Sequence, residues 1–519
     1  MINILQYSRR KQWDKEHTYE DSNGKKRTKP IASQPLEVIK ILLDTVTFAI
    51  IYTEKTDRSL YYYDYDEGIY SRTEGDLEKL ILAVAPEMTN TKTRQNLLDT
   101  ILKMPSEIPV VQNFVLTHEK EIAVGNGVLN LETKKLKPFS PEFFITSKID
   151  TNYTTASIEP TYNGWSWSQS LKQLSDGDAN KEKLLWQVCK AAITGAFWLR
   201  QTVLLIDDGR GMTGKSTFED ALIGVVGKSN TAQLRLAEFT DETKLVDAID
   251  KRLIVGDDND VETVISRYDY LNPVISSELI RVRNYYHKSE STTLHAFVLQ
   301  SCNGIPPFKN ATEAFFNRLK IIKFTHHHSA ANEADWKVKN EYIRTQEFRE
   351  WLLWYVVNYV ELGVALVDTQ ESRQLVADAT AESDSIANFI DHWVTQLDST
   401  AVPVGWMYDL YTVSCILDGM GKPLPQRRFS REIMNRQQFS SCWVKKAHRP
   451  KPDAEFVYED VKFLVDSYAS TKWGELKTWF PISTFTVGDS SSHVTRPVVL
   501  EDDFTAKLKA YNGQCFIRK

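Results

Sequence analysis

The sequence predicts an α/β fold centred on a phosphate-binding loop, and two observations support this class. An apolar strand at 203–206 (VLLI) runs directly into the glycine-rich stretch GRGMTGKST, which is followed by a helical pattern. Further apolar strands alternate with helical stretches along the chain, which is typical of an α/β domain. These strands are expected at 252–255, 297–301 and 319–324, and an amphipathic helix is expected at 346–360.

The first 170 residues predict an α+β domain ahead of this core. Residues 1–30 are polar and weakly periodic, which is typical of a partly disordered segment. Residues 36–52 have a helical pattern, whereas the aromatic stretch SLYYYDYDEGIY predicts strands joined by a turn. Residues 121–144 alternate apolar and polar side chains around an Asn-Gly turn signal, which predicts a small β element.

The glycine-rich stretch matches the GxxxxGK[ST] pattern of a phosphate loop (P-loop) without a gap. Glycines allow backbone N–H groups to approach phosphates, Lys215 would reach the β and γ phosphates, and Ser216 would bind Mg²⁺. The alternative is a chance match, which the preceding strand and the following helix disfavour. The residues expected to bind a nucleotide are Gly209, Gly211, Gly214, Lys215, Ser216 and Thr217.

Two adjacent acids follow the next apolar strand, in the stretch KRLIVGDDND. A P-loop enzyme needs one carboxylate to hold Mg²⁺ and a second group to orient the attacking water. We expect Asp257 to hold the metal together with Ser216, and Asp258 to be the second carboxylate. An exposed turn rich in Asp and Asn has the same composition, but the strand before the pair favours the functional interpretation.

Two later strands complete a characteristic order of motifs. FVLQSCN places Asn303 at the end of a strand, and EAFFNRLKIIKF places Arg318 just ahead of one. This order of phosphate loop, paired acids, asparagine and arginine resembles superfamily-three helicases, and within them the phage and plasmid primase–helicase family. The stretches YDYDEGIY and NGVLNLETKKLKPFSPEFF also resemble that family, so the resemblance covers roughly residues 50 to 360.

The resemblance implies an AAA+-type ATPase that forms a homo-hexameric ring around single-stranded DNA and moves 3′ to 5′. It implies that Asn303 polarises the attacking water and that Arg318 reaches the neighbouring subunit's nucleotide as an arginine finger. The alternatives are an ordinary strand cap for Asn303 and a solvated surface arginine for Arg318. The domain at 1–170 would then close the ring as a collar or provide an interaction surface.

A hairpin between the acids and Asn303 is expected from the stretch IRVRNYYHKSESTTLHAFVL. In the resembled family such a hairpin projects into the channel, and its basic tip holds the DNA backbone. Here the resemblance assigns that contact to His287 and Lys288, where a cation and aromatic rings suit phosphates and stacked bases. An ordinary surface hairpin is the alternative.

The sequence departs from the resembled family in three places. The second acid is Asp258, where many relatives have glutamate, and the lysine often found before the hairpin is missing. Relatives often show two arginines where this chain has Asn317 and Arg318. Because only about 50 residues precede the region of resemblance, we expect no primase activity.

The C-terminal third predicts a winged-helix-like domain at 381–465, between a linker at 361–380 and an extension at 466–519 that has no interpretation. Helices are expected in AESDSIANFIDHWVTQL, MYDLYTVSCILDGMG and PQRRFSREIMNRQQF, and strands in CWVKKAHRP and EFVYEDVKFLV. Such modules follow the ATPase in the resembled family. The third helix carries Arg427, Arg428 and Arg431, which we expect to contact double-stranded origin DNA. The alternative is a packing module with a solvated basic face.

Composition limits the class of protein. The 63 basic and 69 acidic residues give a net charge of −6, which argues against a chain coated with basic charge but permits a locally basic channel. We expect no membrane span, secretory signal, disulfide framework or zinc site, and a solvated loop at the histidine run 326–328. The expected compartment is the cytoplasm, which the resemblance makes that of a bacterial host.

These observations predict an ATP-dependent DNA helicase, with ATP and Mg²⁺ as cofactors, in the replication of a phage, plasmid or other mobile element. The protein would also be the replication initiator that binds the origin. The main alternative is an origin-recognition or loader protein that uses ATP only as an assembly switch. A small-molecule kinase fits the length poorly, and the NKxD motif of a GTPase is absent downstream of the loop.

Overall fold

The structure, a computed structural model, is a mixed α/β protein with a parallel sheet, as the sequence predicts. It divides into two compact units. The first unit comprises Met1–Asn259, Asp269–Asn303 and Arg318–Ser372, and the second comprises Asp260–Tyr268, Gly304–Asn317 and Arg373–Lys519. The predicted domain boundaries stay a prediction. The described residues are 16–20, 25–30, 34–52, 58–72, 74–104, 108–112, 120–209, 211–261, 265, 270–283, 290–308, 311–327, 333–418, 420, 423–461, 483–487, 494–498 and 501–519.

The N-terminal part of the first unit combines three small antiparallel or mixed sheets with three helices. One sheet has the strand order β5-β4-β3-β6, a second has the order β7-β8-β9, and β1 and β2 form a hairpin. The elements are β1 (Glu16–Glu20), β2 (Lys26–Pro30), α1 (Pro35–Thr45), β3 (Phe48–Tyr52), β4 (Arg58–Asp64), β5 (Ile69–Ser71), α2 (Glu74–Val84), α3 (Thr91–Lys103), β6 (Val110–Gln112), β7 (Glu121–Val124), β8 (Gly127–Asn130) and β9 (Leu136–Lys137).

Two sequence predictions for this part need correction. The helix expected over 36–52 ends at Thr45, and residues 48–52 form a strand because FAIIY pairs with β4 on one side and β6 on the other. Pairing on both sides satisfies the backbone N–H and C=O groups of this apolar, partly β-branched segment. This stabilises a strand more than the helical pattern stabilises a helix. The segment expected to be partly disordered contains the β1–β2 hairpin. The strands of YYYDYDEGIY and the small β element are confirmed.

The centre of the first unit is a five-stranded sheet in which all paired strands are parallel, in the order β11-β12-β15-β10-β16. Buried helices pack against it through Leu184, Phe218, Trp351 and Val356. The four strands and the helix predicted here are confirmed. The elements of the first unit from this stretch of the chain are α4 (Trp167–Leu174), α5 (Ala179–Thr194), β10 (Thr202–Ile206), α6 (Lys215–Val226), β11 (Thr231–Gln233), β12 (Leu253–Asn259), α7 (Leu271–Ser276), β13 (Leu279–Val282), β14 (Glu290–Thr293), β15 (Phe297–Cys302), β16 (Leu319–Lys323), α9 (Glu333–Asn340) and α10 (Gln346–Tyr359). Two further helices of this stretch, α8 (Glu313–Phe316) and most of α11 (Gln370–Ser383), belong to the second unit.

The C-terminal part of the second unit has three main helices around one apolar core and a three-stranded sheet in the order β17-β21-β18. The ring of Phe429 stacks on Tyr411 with centroids 4.5 Å apart, which ties the third helix to the second. The elements are α12 (Ser385–His392), β17 (Ala401–Pro403), α13 (Val404–Leu417), α14 (Gln426–Asn435), α15 (Gln437–Ser440), β18 (Trp443–His448), β19 (Ser483–Val487), β20 (Val494–Val498), α16 (Glu501–Ala510) and β21 (Gly513–Arg518).

The three helices and the first strand predicted for this part are present, but the second predicted strand is wrong. Residues 458–461 of EFVYEDVKFLV are helical. The strand that pairs with β18 is β21, which lies in the extension at 466–519, for which the sequence pattern predicts no structure. The pairing partner lies about 70 residues away in sequence, so local patterns carry no information about it. In the part of the chain described, no helix is long and apolar enough to cross a membrane.

Candidate functional site

The glycine loop joins the end of β10 to the start of α6. Gly209 and Gly214 have φ values of +82° and +89°, a region that glycine enters without steric cost. Gly214 is the residue that caps α6, so the helix begins at Lys215 with its free backbone N–H groups facing the loop. Met212 also has a positive φ, +55°, which is unfavourable for a side chain and typical of functional loops. Arg210 lies outside the described residues.

The Lys215 ammonium is held by two oxygen acceptors. It forms an ion pair with the buried carboxylate of Asp207, and it lies 3.1 Å from Asn303 Oδ1. Asp207 also accepts from Gly209 N–H at 3.0 Å and from Thr213 Oγ1 at 3.1 Å. Burial by itself would raise the pKa of the Asp207 carboxyl, but these donors, led by Lys215, hold the pKa below its ordinary value. Asp207 therefore carries a charge that positions the lysine.

The two acids form the exposed end of β12. Asp257 Oδ1 accepts from Ser301 Oγ at 3.0 Å and from the backbone N–H of Asp258 at 2.8 Å. Asp258 has a φ of +50°, so the backbone is strained at the position expected to orient water. Asn259 then turns inward and bonds Gly256 O and Ser301 O, which pins this strand end to β15.

A third carboxyl lies behind the acids. Glu219, on α6, is buried, and its Oε2 lies within hydrogen-bonding distance of Ser301 Oγ, 3.2 Å away. Its other oxygen, Oε1, has no hydrogen-bond partner among the described residues. Burial raises the pKa of Glu219 well above its usual range, and the nearby Asp257 adds to this. The Ser301 hydroxyl thus links a buried acid to the carboxylate expected to hold a metal.

The strand ends bring the predicted residues together because β10, β12 and β15 are parallel. Their carboxyl ends lie at one edge of the sheet, called here the carboxyl edge. A cavity of about 700 Å³ opens at this edge. Its wall includes Gly211, Gly214, Lys215, Ser216, Thr217, Asp257, Asp258 and Asn303. Gly209 contributes through its bond to Asp207 and is not on the wall itself.

Other residues on this wall were not identified from the sequence. Lys339, on α9, donates to Ser216 Oγ at 3.0 Å, and Trp336 and Asn340 on the same helix also face the cavity. His327, in the predicted solvated loop, is exposed, but its ring lies 3.3 Å from both Asp208 Oδ2 and Gly211 O. His326 lines the cavity, and the third histidine of the run lies outside the described residues.

Sequence reasoning had one signal for Asp207, because it directly follows an apolar strand and precedes the glycine loop. Lys339 and Trp336 gave no signal, since they lie over 100 residues beyond the loop in a polar helix and meet it only in the fold. Glu219 is one turn beyond Lys215, but its burial could not be read from a helix pattern.

Arg318 does not lie in this cavity. It precedes β16, and its backbone carbonyl oxygen accepts a hydrogen bond from the backbone N–H of Thr202, at the amino ends of the parallel strands. Five residues of extended strand separate this position from the carboxyl edge, which is roughly 17 Å. Arg318 is therefore not brought to the glycine loop of its own chain, and its action on a neighbouring subunit stays a prediction.

The residues predicted to contact DNA fall into two groups, of which the structure describes only one. The strands of the expected hairpin are confirmed, because β13 and β14 pair antiparallel, but His287 and Lys288 lie outside the described residues. On α14, Phe429 and Ile433 are buried while Arg427, Arg428 and Arg431 are exposed. Arg428 and Arg431 lie 4.0 Å and 3.4 Å from Glu432 Oε1, and such exposed pairs exchange readily with other anions.

The donors on the cavity wall suit a hard divalent cation. The Ser216 hydroxyl and the Asp257 carboxylate offer the oxygen ligands that Mg²⁺ takes in phosphate sites, where waters and phosphate oxygens complete the shell. Glu219 Oε1, which is buried and has no hydrogen-bond partner among the described residues, would be a further acceptor for a metal-bound water. The residues present therefore fit the expected metal.

Three family models match separate segments of the chain. One described as "D5 N terminal like" matches residues 40–186, and one described as "Poxvirus D5 protein-like" matches residues 381–469. The segment between them, residues 208–318, matches "Family of unknown function (DUF5906)" and contains the glycine loop, both acids and Asn303. The two D5-like segments support a primase–helicase-like protein that acts in DNA replication.

The chain is also similar to solved structures of the NrS-1 C-terminal region in its apo form. One shares 11% identity, covers 80% of this chain and 97% of that chain, and has a TM-score of 0.40. A second shares 12% identity, covers 81% and 97%, and has a TM-score of 0.41. A comparison with curated proteins finds no match to this chain.

Proposed function

We propose that this protein is an ATP-dependent DNA helicase that works as a hexameric ring in the replication of a phage, plasmid or other mobile element. The observation that carries the proposal is the convergence of Lys215, Asp257 and Asn303 from three parallel strand ends on one cavity of about 700 Å³. A cavity of this size accommodates a whole nucleoside triphosphate. The D5-like segments on either side of the P-loop region agree with a replication role.

Each side chain has a role that its position supports. Lys215 leaves Asp207 to bind the β and γ phosphates, and Asp207 returns it to the loop after product release. Asn303, already 3.1 Å from that ammonium, orients the attacking water beside the γ-phosphate. Ser216 and Asp257 would hold Mg²⁺, which neutralises charge on the phosphates when bound. Asp258 accepts a proton from the attacking water.

Coupling to DNA requires groups that act between subunits. We propose that Arg318, remote from its own P-loop, completes the nucleotide site of the next subunit in the ring. The β13–β14 hairpin, which belongs to the same unit as the P-loop, then moves against the threaded single strand, so that the ring advances 3′ to 5′ along it. In this proposal His287 and Lys288 at the tip contact the backbone. The proposed host compartment is the bacterial cytoplasm.

The direct test measures ATP hydrolysis and unwinding of a forked DNA substrate by the full chain, beside particle mass with and without ATP. A motor gives strand separation that needs hydrolysable ATP and is lost in Lys215→Ala. ATP turnover at full rate by a monomer that is indifferent to DNA would reject the proposal.

The second candidate is a loader that recognises the origin and uses ATP only to assemble. The exposed arginines of α14 favour an origin-binding role in either case. DNA binding with normal ATP binding but without unwinding would support the loader. The two candidates therefore differ in a single measured outcome, strand separation.

Origin binding has its own test, in which Arg427, Arg428 and Arg431 are each changed to Ala. We propose that the C-terminal part is a winged-helix-like module in which α14 enters the major groove. Loss of one phosphate contact should weaken DNA binding and reduce the salt slope by about 1, and loss of a base contact should cost about 1–3 kcal/mol at one base pair. Fork unwinding without an origin should be retained. Unchanged origin affinity in all three variants would remove α14 from the interface.

A further inference from the structure

The P-loop cavity has a second wall that no motif of the chain marks. It is formed by α9, from which Trp336, Val338, Lys339 and Asn340 face the cavity. The helix α4 also lines the cavity, through the apolar side chains of Leu171 and Leu174 and the ring of Trp167. A bare phosphate site needs only backbone N–H groups and cations, so an aromatic and apolar slot beside the loop points to a ligand with an apolar face.

Trp336 is the main element of this slot. The residue is 56% exposed although indole is among the largest apolar groups, and it lines the cavity. Indole rings that offer a free face stack on nucleobases, and such stacking tolerates any base because every base has a π-face. Asn340, one turn further along α9, offers an amide to the polar edge of a base.

Lys339 is the charged element of the same wall. Its ammonium lies 3.0 Å from Ser216 Oγ and 3.5 Å from Asp220 Oδ2. Both members of the Lys339–Asp220 pair are 38% exposed, so the pair contributes little stability and exchanges easily for a stronger anion. A polyphosphate held by the loop would pass within hydrogen-bonding distance of this ammonium, because Ser216 is itself part of the loop.

We infer that α9 is the selective wall of the nucleotide site, where Trp336 stacks on the base and Lys339 binds the polyphosphate of a nucleoside triphosphate. This inference rests on the proposed nucleotide binding and adds two residues and a selectivity to it. The site then distinguishes a nucleotide from inorganic tripolyphosphate, since only the nucleotide gains from Trp336, whereas both gain from Lys339.

The test compares dissociation constants of ATP and of inorganic tripolyphosphate, each with Mg²⁺, for the full chain and its variants. Trp336→Ala should weaken ATP binding about 5- to 150-fold and leave tripolyphosphate binding unchanged. Trp336→Phe, which keeps a stacking ring, should recover most of the ATP affinity. Lys339→Ala should weaken both ligands by a similar factor, about 10-fold.

Lys337→Ala is the matched control, because Lys337 lies on α9 but not on the cavity wall, and it should change neither constant. Equal ATP affinity of wild type and Trp336→Ala, or equal weakening of both ligands by that change, would overturn the inference while leaving nucleotide binding intact. A wild-type chain that binds neither ligand would instead overturn the proposed function, and with it this inference. Thermal melting of each variant separates a lost contact from a lost fold.

Discussion

The two edges of the five-stranded parallel sheet carry polar residues of the same kinds and use them differently. At the carboxyl edge, Asp257 lies near the end of β12, Asn303 directly follows β15, and Lys215 comes after the loop that follows β10. These three residues meet on a cavity of about 700 Å³. At the opposite edge, called here the amino edge, Arg252, His295 and Arg318 precede three strands. The cavity there, lined by Arg252 and His295, has about 60 Å³.

Burial distinguishes these two edges. The Arg252 guanidinium is buried and donates to Thr194 O at 3.2 Å and Ser147 O at 3.4 Å, and no described carboxylate forms an ion pair with it. Burial lowers the pKa of Arg252 to about 10 and that of His295 to about 4. Arg252 joins separate chain segments through hydrogen bonds to backbone carbonyl oxygens, and His295 does so by packing against Phe197. Within one chain, therefore, the charged residues that face the large cavity are candidates for binding a ligand, whereas Arg252 and His295 stabilise the fold.

Arg318 is the amino-edge residue that would break this comparison, and its change has the largest expected effect. Arg318→Ala should keep ATP affinity near normal while hydrolysis falls about 10³-fold, because the guanidinium acts on the neighbouring subunit's phosphates. The measurements are nucleotide binding and steady-state ATPase rate. Mixing this variant with Lys215→Ala should restore part of the activity, since some interfaces then hold one intact lysine and one intact arginine. Absence of rescue in verified mixed rings would count against the role in trans.

Lys215 tests the carboxyl edge. Lys215→Ala should lower the ATPase rate about 10²- to 10³-fold through loss of charge at the phosphates. The same change leaves the buried Asp207 carboxylate without its ammonium partner, so the free energy of unfolding should also fall. The control is the double variant Lys215→Ala with Asp207→Asn, which should recover stability but not activity. Recovery of hydrolysis in that double variant would contradict the role of the lysine.

Arg252 should behave in the opposite way. Arg252→Ala leaves the carbonyls of Thr194 and Ser147 without donors and opens a cavity, so the free energy of unfolding should fall by roughly 3 kcal/mol. The ATPase rate per folded molecule should stay close to wild type at a temperature below both transitions. Chemical denaturation and active-fraction titration measure the two quantities. A stable but inactive variant would show that the amino edge takes part in catalysis.

His295 gives the smallest expected effect, seen as a pH dependence of stability. Its pKa is about 4 in the folded chain against 6.5 as its ordinary value, so the unfolded state binds more protons between these values. Stability therefore does not depend on the protonation of His295 above about pH 6.5, and it decreases as the pH falls from 6.5 toward 4. Because one pKa unit corresponds to ~1.4 kcal/mol, moving from pH 7 to pH 5 should cost about 2 kcal/mol. The His295 ring packs beside Phe197, so His295→Phe should keep this packing and remove the histidine's part of the pH dependence of stability. An unchanged slope in that variant would assign the dependence to other groups.

Local patterns located the parts of the fold that depend on neighbours in sequence. The strand and loop at 202–214 followed from an apolar run and its glycines, and α10 from its apolar periodicity. Segments paired over long distances were misread, as with β3, which lies between two partners, and β21, which pairs with β18. The sequence pattern of a strand does not specify its partner, because pairing is set by the whole sheet.

The amino-acid sequence by itself determined the glycine-rich loop pattern, the order of the acids, Asn303 and Arg318, and the basic face of α14, because each depends on residue type and short spacing. Only the tertiary structure decided which of these residues meet. Parallel strands carried Lys215, Asp257 and Asn303 to one edge and left Arg318 at the other, roughly 17 Å away. The fold also brought Trp336 and Lys339 to the loop and buried Arg252, since packing depends on contacts between segments that are far apart in the chain.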